Sequence, residues 1–376
     1  MNPAIREIAR RADAAIPGVC VVACVWMTVT VSGAGVDRGA QPQGTVVAWG
    51  SNYSGQINIP APNTGFVAVT AGDVHSLGLK ADGSIVAWGR NSEGQTTVPA
   101  PNTGFVAVAA GGFHGLGLKP DGAIVAWGAN WYGQTDVPAP NRDFVGIAAG
   151  RYHSLGLKSD GSIVGWGYNG SGQTSVPAPN TGFIAVAGGA AHALGLKADG
   201  SIVGWGWNDY GQTNVPAPNS GFVAVAAGSP HSLGLKGDGS IVGWGDNSYG
   251  QSNVPAPNAD FIGIAARGLH SLGLKGDGSI VAWGDNESGQ TDVPAPNCGF
   301  VAVAAGGDYS LAIRRMTGDA DGDGDVDRAD FEASLDYLLG PSAEPQLGGW
   351  CFFDVDMDGD VDLRDLAVWQ NAFTGE

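Results

Sequence analysis

Two acidic segments near the end of the chain contain the residues whose spacing most clearly indicates chemistry. Each places carboxylates at loop positions 1, 3, 5, 7, 9 and 12 and a glycine, Gly324 or Gly359, at position 6, where the backbone must turn sharply. The carboxylates are Asp319, Asp321, Asp323, Asp325, Asp327 and Asp330 in the first segment, and Asp354, Asp356, Asp358, Asp360, Asp362 and Asp365 in the second. Oxygen ligands in this order are typical of calcium loops. The sequence therefore predicts two bound Ca²⁺ ions.

The charge of the chain is concentrated in the same region. The formal net charge is -18, and residues 317–376 contain sixteen acidic residues against two arginines. The preceding part of the chain is nearly neutral, so it lacks the basic surface that nucleic-acid binding requires. The acidic region indicates a cation ligand, and the sequence predicts no nucleic-acid partner.

A short helix is predicted after each calcium loop. The apolar positions on one face of these helices are Phe331, Leu335 and Leu338 in the first, and Leu366, Trp369 and Phe373 in the second. The duplicated loop–helix unit, residues 317–376, resembles the dockerin family, although loop positions 10 and 11 are Arg328-Ala329 and Leu363-Arg364 where dockerins often have Ser-Thr. The resemblance implies a small α-helical, EF-hand-like calcium domain that docks to a cohesin-like protein. The alternative is a calcium-stabilised stalk without a cohesin partner.

The beginning of the chain is typical of an export signal. Arg6, Arg10 and Arg11 precede an uncharged stretch over residues 14–31, and small residues follow at 32–34. This order predicts a signal peptide over 1–34, followed by a linker over 35–43. We expect a secreted or cell-surface bacterial protein, with a retained N-terminal membrane anchor as the alternative. In an oxidising compartment Cys298 and Cys351 could be bridged or free, and the sequence leaves both open.

The middle of the chain consists of seven copies of a 39-residue unit. A Trp-Gly pair recurs at residues 49, 88, 127, 166, 205, 244 and 283, and a histidine recurs at 75, 114, 153, 192, 231 and 270, with Tyr309 in the seventh position. Such a period indicates a closed or stacked repeat architecture. It also explains the 63 glycines among 376 residues, because every unit needs several turns.

Each unit contains three or four short strand patterns. In one copy these are residues 105–110, 114–119 and 123–127, with 135–137 as a candidate fourth strand. This spacing is typical of a β-propeller blade. The array begins with one unpaired strand at 45–50 and ends with a unit, 300–315, that lacks its last strand. The sequence therefore predicts an all-β, seven-bladed propeller over 44–316 that is closed by its N-terminal strand.

The repeat motifs carry a family resemblance. Trp-Gly-x-Asn-x-x-Gly-Gln at 127–134 and Ala-Gly-x-x-His-Ser-Leu at 71–77 resemble the repeats of the regulator of chromosome condensation family, which forms seven-bladed propellers. The short unit, with Gly-Leu-Lys-x-Asp-Gly-Ser at 78–84 and Gly-Gln-Thr-x-Val-Pro-Ala at 133–139, is closer to the secreted bacterial β-lactamase inhibitors built on this propeller. That resemblance implies a binding face formed by aromatic side chains.

The copies differ mainly at one face of the predicted ring. The Ala-Gly-x-x-His turns and the Trp-Gly-x-Asn loops should share this variable face, and the Asp-Gly-Ser turns and Pro-Ala-Pro-Asn loops the opposite, constant face. The predicted ligand-binding residues are Tyr53, Phe113, Trp131, Tyr132, Arg151, Tyr152, Tyr168, Trp207, Tyr210 and Tyr249. Exposed aromatics at varied positions indicate a binding surface for a protein or a glycan. The alternative is packing between blades or drift between repeats.

No catalytic motif is evident, and we expect a protein that is not an enzyme. The histidines occupy one structural position, which favours a hydrogen-bonding role over a ring of metal ligands. Acidic residues on the variable face leave a glycosidase-like pair open; they are Asp73, Glu93, Asp209, Asp246, Asp285, Glu287 and Asp308.

The sequence thus predicts an exported, monomeric, non-catalytic binding protein. One alternative is an inhibitor of a secreted or periplasmic enzyme such as a β-lactamase or a transpeptidase. The other is a carbohydrate-binding or polysaccharide-degrading component, since dockerins usually deliver such proteins and aromatic faces also stack on sugars.

Overall fold

The computed structural model describes residues 43–315, which form twenty-one β-strands and no helix. The predicted signal segment and both predicted calcium loops lie outside the described residues. The strands are β1 (Gly44–Gly50), β2 (Phe66–Ala71), β3 (His75–Lys80), β4 (Ile85–Gly89), β5 (Ala107–Ala110), β6 (His114–Leu118), β7 (Ile124–Gly128), β8 (Phe144–Ala149), β9 (His153–Lys158), β10 (Ile163–Gly167), β11 (Phe183–Gly188), β12 (His192–Lys197), β13 (Ile202–Gly206), β14 (Phe222–Ala227), β15 (His231–Lys236), β16 (Ile241–Gly245), β17 (Phe261–Arg267), β18 (His270–Lys275), β19 (Ile280–Gly284), β20 (Phe300–Ala305) and β21 (Tyr309–Arg315). Within 43–315 no helix is long and apolar enough to cross a membrane.

The strands group into antiparallel blades of three. Five blades are separate sheets, and the sixth sheet has six strands in the order β20-β21-β1-β2-β3-β4. That sheet consists of two blades joined by a single pair, Gly44 with Phe66. Counted separately, these two halves bring the ring to seven three-stranded blades.

Closure of the ring by the N-terminal strand is confirmed. Strand β1 pairs antiparallel with β21 from Gly44↔Arg315 to Gly50↔Tyr309, so it supplies the strand that the last unit lacks. Seven buried apolar clusters each join two neighbouring blades, and the clusters around Trp49 and Val46 link the N-terminal strand to the blades on either side. The hydrophobic core is therefore divided among the blade boundaries.

A phenylalanine and a glycine explain how each blade packs so tightly. The ring of Phe144 in β8 lies against Gly156 in β9, where a Cβ would come within 2.4 Å of the ring. The Lys158 ammonium lies over this ring, 3.7 Å from its centroid. The same three residue types recur in five of the other six copies, so the repeat pattern specifies the same packing in those blades; the last copy has Phe300 with Ala312 and Arg314.

The candidate fourth strand is not formed. Residues 135–137 instead fold into turns, in which Asp136 N–H donates to the Gly133 carbonyl and Val137 N–H to the Thr135 carbonyl. Thr135 N–H donates to Asn130 Oδ1. The peptide groups of this segment are therefore used locally, and they cannot extend the sheet.

The innermost strands surround a narrow central channel. Its cavity of about 140 Å³ is lined mainly by alanine and valine side chains from all seven blades. Arg267, at the end of β17, is the one charged residue of this lining. The alanines that alternate along the first strand of each unit therefore allow seven blades to meet at the centre.

Candidate functional site

The turn and the loop of each blade share a face, as predicted. Ala129 N–H donates to the Phe113 carbonyl, and Tyr168 N–H donates to the Tyr152 carbonyl, each at 2.9 Å. Equivalent bonds recur in the other blades, for example from Trp207 to Ala191. These bonds place the residues of the two varied segments side by side on the variable face.

The loop that presents Trp131 and Tyr132 is held by its own polar side chains. Asn130 Nδ2 donates to Asp136 Oδ1 at 2.8 Å, and the buried Gln134 accepts from Tyr132 N–H at 2.9 Å. The recurring Asn and Gln therefore fix the backbone, while the two residues between them are free to vary. A loop ordered in this way presents its aromatic rings at a low entropic cost of binding.

Five predicted residues form one contiguous group, the aromatic cluster, made of Phe113, Trp131, Tyr132, Tyr152 and Tyr168. Phe113 stacks on Tyr152 with ring centroids 6.0 Å apart, and it also contacts Trp131 at 5.5 Å. Tyr132 contacts Tyr152 at 5.4 Å and Tyr168 at 4.8 Å. The cluster covers the β5–β7 and β8–β10 blades.

Three rings of the cluster, those of Trp131, Tyr132 and Tyr168, are exposed although they touch their neighbours, and Phe113 and Tyr152 are partly buried. Trp131 is 53% exposed and Tyr132 is 49% exposed, whereas the core residue Trp166 is 6% exposed. Contact between neighbouring blades, the alternative considered from sequence, is therefore present but does not bury these rings. An exposed aromatic patch of this kind is typical of a binding surface.

The remaining predicted aromatics lie apart from the cluster. Trp207 and Tyr210 form an edge-to-face pair on the β11–β13 blade, with centroids 5.2 Å apart. Tyr53 and Tyr249 are exposed and make no ring contact within 43–315. The ten predicted residues thus fall into the cluster with Arg151, one separate pair and two single tyrosines.

A charged network that was not predicted lies beside the cluster. Asp73 Oδ2 is 2.9 Å from Arg151 Nε, and Asp73 Oδ1 is 3.1 Å from the Arg267 Nη2 atom. Arg267 also donates to the Ala110 carbonyl, so its guanidinium reaches across the mouth of the central channel. Arg151 in turn lies 5.4 Å from the ring centroid of Tyr152. One carboxylate therefore links an arginine at the channel to the edge of the aromatic cluster.

The sequence does contain a signal for this network. Arg267 occupies the position of the Ala-Gly turn that is glycine in the other six copies. In those copies the turn has no room for a side chain: a Cβ on Gly150 would lie 2.0 Å from the His153 ring. The copy with Arg267 differs because β17 extends to Arg267, which pairs with His270, and Gly268 takes the turn with a φ of +52°.

The repeated histidines are structural. His114 Nε2 lies 2.9 Å from Ser154 Oγ of the next blade, and this hydroxyl donates to the Gln134 carbonyl. The indole N–H of Trp166 donates to the same carbonyl. Since the serine proton is used on Gln134, the imidazole proton must lie on Nε2. The network joins neighbouring blades and explains why these residue types recur together.

Two histidines lack this bond because the next copy lacks the serine. His75 Nε2 and His153 Nε2 have no partner, and the serine position is Gly115 or Ala193 in the following blades. Tyr309, in the seventh position, places its hydroxyl 3.0 Å from Ser76 Oγ, as expected for a residue that replaces histidine.

Burial keeps the histidines neutral. It lowers the pKa to about 3 for His75, His114, His153 and His231, and to about 4 for His192 and His270. No group of three or more metal-binding side chains occurs in residues 43–315. The predicted structural role of the histidines fits this geometry.

The acidic residues of the variable face behave in two ways. Asp73 is paired with two arginines, as described. Asp285, Glu287 and Asp308, here called the acidic sector, have no ion pair to a cation in the part of the chain that the structure describes. Partial burial raises the pKa of Asp308, and the charges of Asp285, Asp73 and Glu287 raise it further.

The cysteine within the described residues is oxidised. Cys298 is disulfide-bonded, and its partner lies outside residues 43–315. A bridge to Cys351 is one of the two states that the sequence left open.

Comparisons with known proteins agree on the repeat and the fold. Residues 66–95, 105–134, 144–173, 183–212, 222–251 and 262–290 match the model of the regulator of chromosome condensation (RCC1) repeat. No match was found among curated protein sequences.

Three solved structures illustrate the similarity in fold. Prp20p from Saccharomyces cerevisiae is 18% identical over 79% of this chain and 96% of its own, with a TM-score of 0.64. Yeast RCC1 (Prp20) in complex with Kap60 is 17% identical over 83% of this chain and 99% of its own, with a TM-score of 0.63. Human WBSCR16 is 19% identical over 73% of this chain and 99% of its own, with a TM-score of 0.60. The repeat region of this chain belongs to the family of RCC1 repeats.

Proposed function

We propose that the protein is an exported, non-catalytic binding protein whose variable face binds a protein partner through the aromatic cluster. The observation that carries the proposal is the contiguity of five rings on two neighbouring blades, three of them exposed, with Trp131 and Tyr132 on an internally bonded loop. Trp, Tyr and Arg are the residues most often found at the energetic centre of protein interfaces. Here all three types occur together, with Arg151 at the edge of the cluster.

The fold relatives support a protein ligand. The yeast relative Prp20p is described by its binding to Gsp1p and histones, and it also forms a complex with Kap60. Identities below 20% do not carry these partners over to this chain. They support only the general use of the propeller as a binding platform.

The proposal includes an acidic tail that binds two Ca²⁺ ions and docks to a cohesin-like or cell-surface partner. Its support is the sequence alone: two calcium-loop patterns, each complete from Asp319 to Asp330 and from Asp354 to Asp365. Calorimetric titration of the whole chain with CaCl₂ should give two ions per chain, and the D319N/D354N variant should lose both. A stoichiometry of zero would refute the metal assignment.

The binding proposal is tested by capture from the extracellular proteins of the producing cells. Immobilised wild-type protein should retain a partner that the W131A/Y132A variant does not retain. The matched control is Tyr249→Ala, because Tyr249 occupies the same loop position as Tyr132 but lies outside the cluster. We expect the control to retain the partner as the wild type does.

Three other outcomes would change the assignment. Equal retention by wild type and W131A/Y132A would contradict the role of the cluster. Retention of a β-lactamase or transpeptidase, with loss of its activity, would specify the inhibitor alternative. Retention of a polysaccharide on a glycan array, abolished in W131A/Y132A, would replace the protein ligand by a glycan.

A further inference from the structure

The two faces of the ring differ in charge as well as in sequence. The variable face has three cations, Arg90, Arg151 and Arg267, and nine acids, Asp73, Glu93, Asp136, Asp209, Asp246, Asp285, Glu287, Asp292 and Asp308. The constant face contains all six lysines of the described blades and Arg142, Arg314 and Arg315, against eight acids. The net negative charge of the propeller therefore lies on the variable face.

Within the variable face, most of this charge lies away from the aromatic cluster, because Asp136 is the one acid of the nine on the two cluster blades. The cluster lies on the β5–β7 and β8–β10 blades, and the acidic sector on the β17–β19 blade and the one that β1 completes. Asp73 stands between them in the network with Arg151 and Arg267, where its charge is neutralised. The face thus divides into an aromatic part and an anionic part.

The acidic sector is held in place without being neutralised. Asp285 accepts hydrogen bonds from the Gln290 side chain and from Glu287 N–H, and both donors are uncharged. A Cβ on Gly50 would lie 2.8 Å from the Asp308 carbonyl oxygen and 3.1 Å from Gln290 Cα, so the Asp308 turn and the Asp285 loop meet at this glycine. Partial burial, and then the neighbouring carboxylates, raise the pKa of Asp308. Like charges held together in this way are relieved by an incoming cation.

Tyr53 adds an aromatic ring to the acidic sector. It lies two residues after Ser51, whose N–H donates to the Asp308 carbonyl at 2.9 Å, and its side chain is 71% exposed. The face of an aromatic ring attracts a Lys or Arg side chain by a cation–π interaction, and the carboxylates beside the ring attract the same side chain by its charge. The sector therefore favours a positively charged group over an apolar one.

We infer that the partner is a protein with a basic docking segment, which places apolar side chains on the aromatic cluster and a Lys or Arg on the acidic sector. This inference rests on the proposed function, since it specifies the partner of the same face. Complementary charge would also speed the encounter and exclude acidic partners. An anionic glycan or a nucleic acid is disfavoured for the same reason.

The test uses a phage-displayed library of random twelve-residue peptides, selected on the full chain and counter-selected on W131A/Y132A. We expect the recovered peptides to combine aromatic or aliphatic residues with a net positive charge. The D285N/E287Q/D308N variant should bind the synthetic peptide about ten-fold more weakly, as the loss of a few exposed ion pairs implies. The affinity of the wild type should fall as NaCl is raised.

The matched control removes three carboxylates from the constant face. D160N/D199N/D238N changes the net charge by the same amount, and each asparagine keeps an oxygen for its turn. It should bind the peptide as the wild type does. Neutral or acidic peptides, or equal weakening by both triple variants, would overturn the basic partner while leaving the proposed function intact. If no recovered peptide distinguishes wild type from W131A/Y132A, the proposed function itself fails.

Discussion

The two faces of the ring are formed by turns between the same strands, but their residues recur to different extents. The constant face repeats nearly the same residues in every copy, whereas the variable face does not. On the constant face, Asn141 brackets Ile124 with two hydrogen bonds of 2.8 Å, and this pair recurs around the ring. On the variable face the supporting residues also recur, but the positions between them hold Trp131 and Tyr132 in one blade and Ser171 in another. Residues that recur in every copy therefore stabilise the ring, and residues that vary between copies are available to bind a partner.

The largest expected effect comes from acid, because it acts on the recurring histidines together. An unfolded histidine has a pKa of about 6.5, whereas burial lowers the folded pKa of His114 to about 3. The unfolded state therefore binds more protons, and stability is complete above pH 6.5 and falls as the pH decreases toward the folded pKa. Between pH 6.5 and 5.5 each histidine should cost about 1 kcal/mol, or about 6 kcal/mol for all six.

Denaturant titrations of the whole chain at these pH values check this prediction. The His114→Gln variant should have a shallower dependence on pH than the wild type. A free energy of unfolding that does not change between pH 6.5 and 5.5 would show that the histidines are accessible to protons in the folded ring.

The second prediction compares a tryptophan at a recurring, buried position with a tryptophan at a varied, exposed position. Trp166→Ala should lower the free energy of unfolding by about 3–5 kcal/mol, because it empties a buried site and removes the indole bond to the Gln134 carbonyl. Trp131→Ala should cost less than about 1 kcal/mol, because that ring is half exposed. Chemical denaturation measures both. Similar losses would mean that the aromatic cluster belongs to the core.

The third prediction concerns the network at the channel mouth. Asp73→Ala should cost about 2 kcal/mol, less than a fully buried pair, because Arg267 is 13% exposed and Arg151 is 49% exposed. Removal of the carboxylate leaves two guanidinium groups facing each other. Arg267→Gly should cost less, since the pair between Asp73 and Arg151 remains and glycine is the residue of the other copies. The reverse order in thermal unfolding would contradict this account.

The smallest effect concerns the gaps in the histidine network. Ala193→Ser should raise the free energy of unfolding by about 1 kcal/mol, because the hydroxyl would give His153 Nε2 its missing partner. Ser232→Ala is the converse change: it removes the partner that lies 3.0 Å from His192 Nε2. It should destabilise the ring by about 1–2 kcal/mol. If both substitutions lower stability, packing at this position outweighs the hydrogen bond.

The repeat allowed much of the fold to be predicted from sequence. The 39-residue step from Trp49 to Trp283 indicated the blades, and the incomplete unit at 300–315 indicated closure by β1, which the pairing with β21 confirms. The strand-like pattern of residues 135–137 could not show that their N–H groups would form hydrogen bonds within turns instead of within a sheet. That outcome depends on the Asn130 side chain, which competes with the sheet for the same N–H group.

The sequence predicted which face carries the site, but it did not predict which of the aromatic residues on that face touch each other. Varied positions identified Trp131, Tyr132 and Tyr152, yet nothing in their spacing separates them from Tyr249, because the distances between loops depend on the curvature of the ring. The Asp73–Arg267 pair joins residues 194 positions apart, so spacing could not reveal it. The one sequence signal for this ion pair was Arg267, which replaces a recurring glycine.

In this protein, we propose, the varied aromatic positions bind a partner while the recurring positions stabilise the ring. The most direct test measures, for W131A/Y132A, both the free energy of unfolding and the affinity for the partner captured by the wild type. We expect a change in stability of less than about 1 kcal/mol together with at least a ten-fold loss of affinity, and no loss of affinity for Tyr249→Ala. Undiminished affinity in W131A/Y132A would contradict the account.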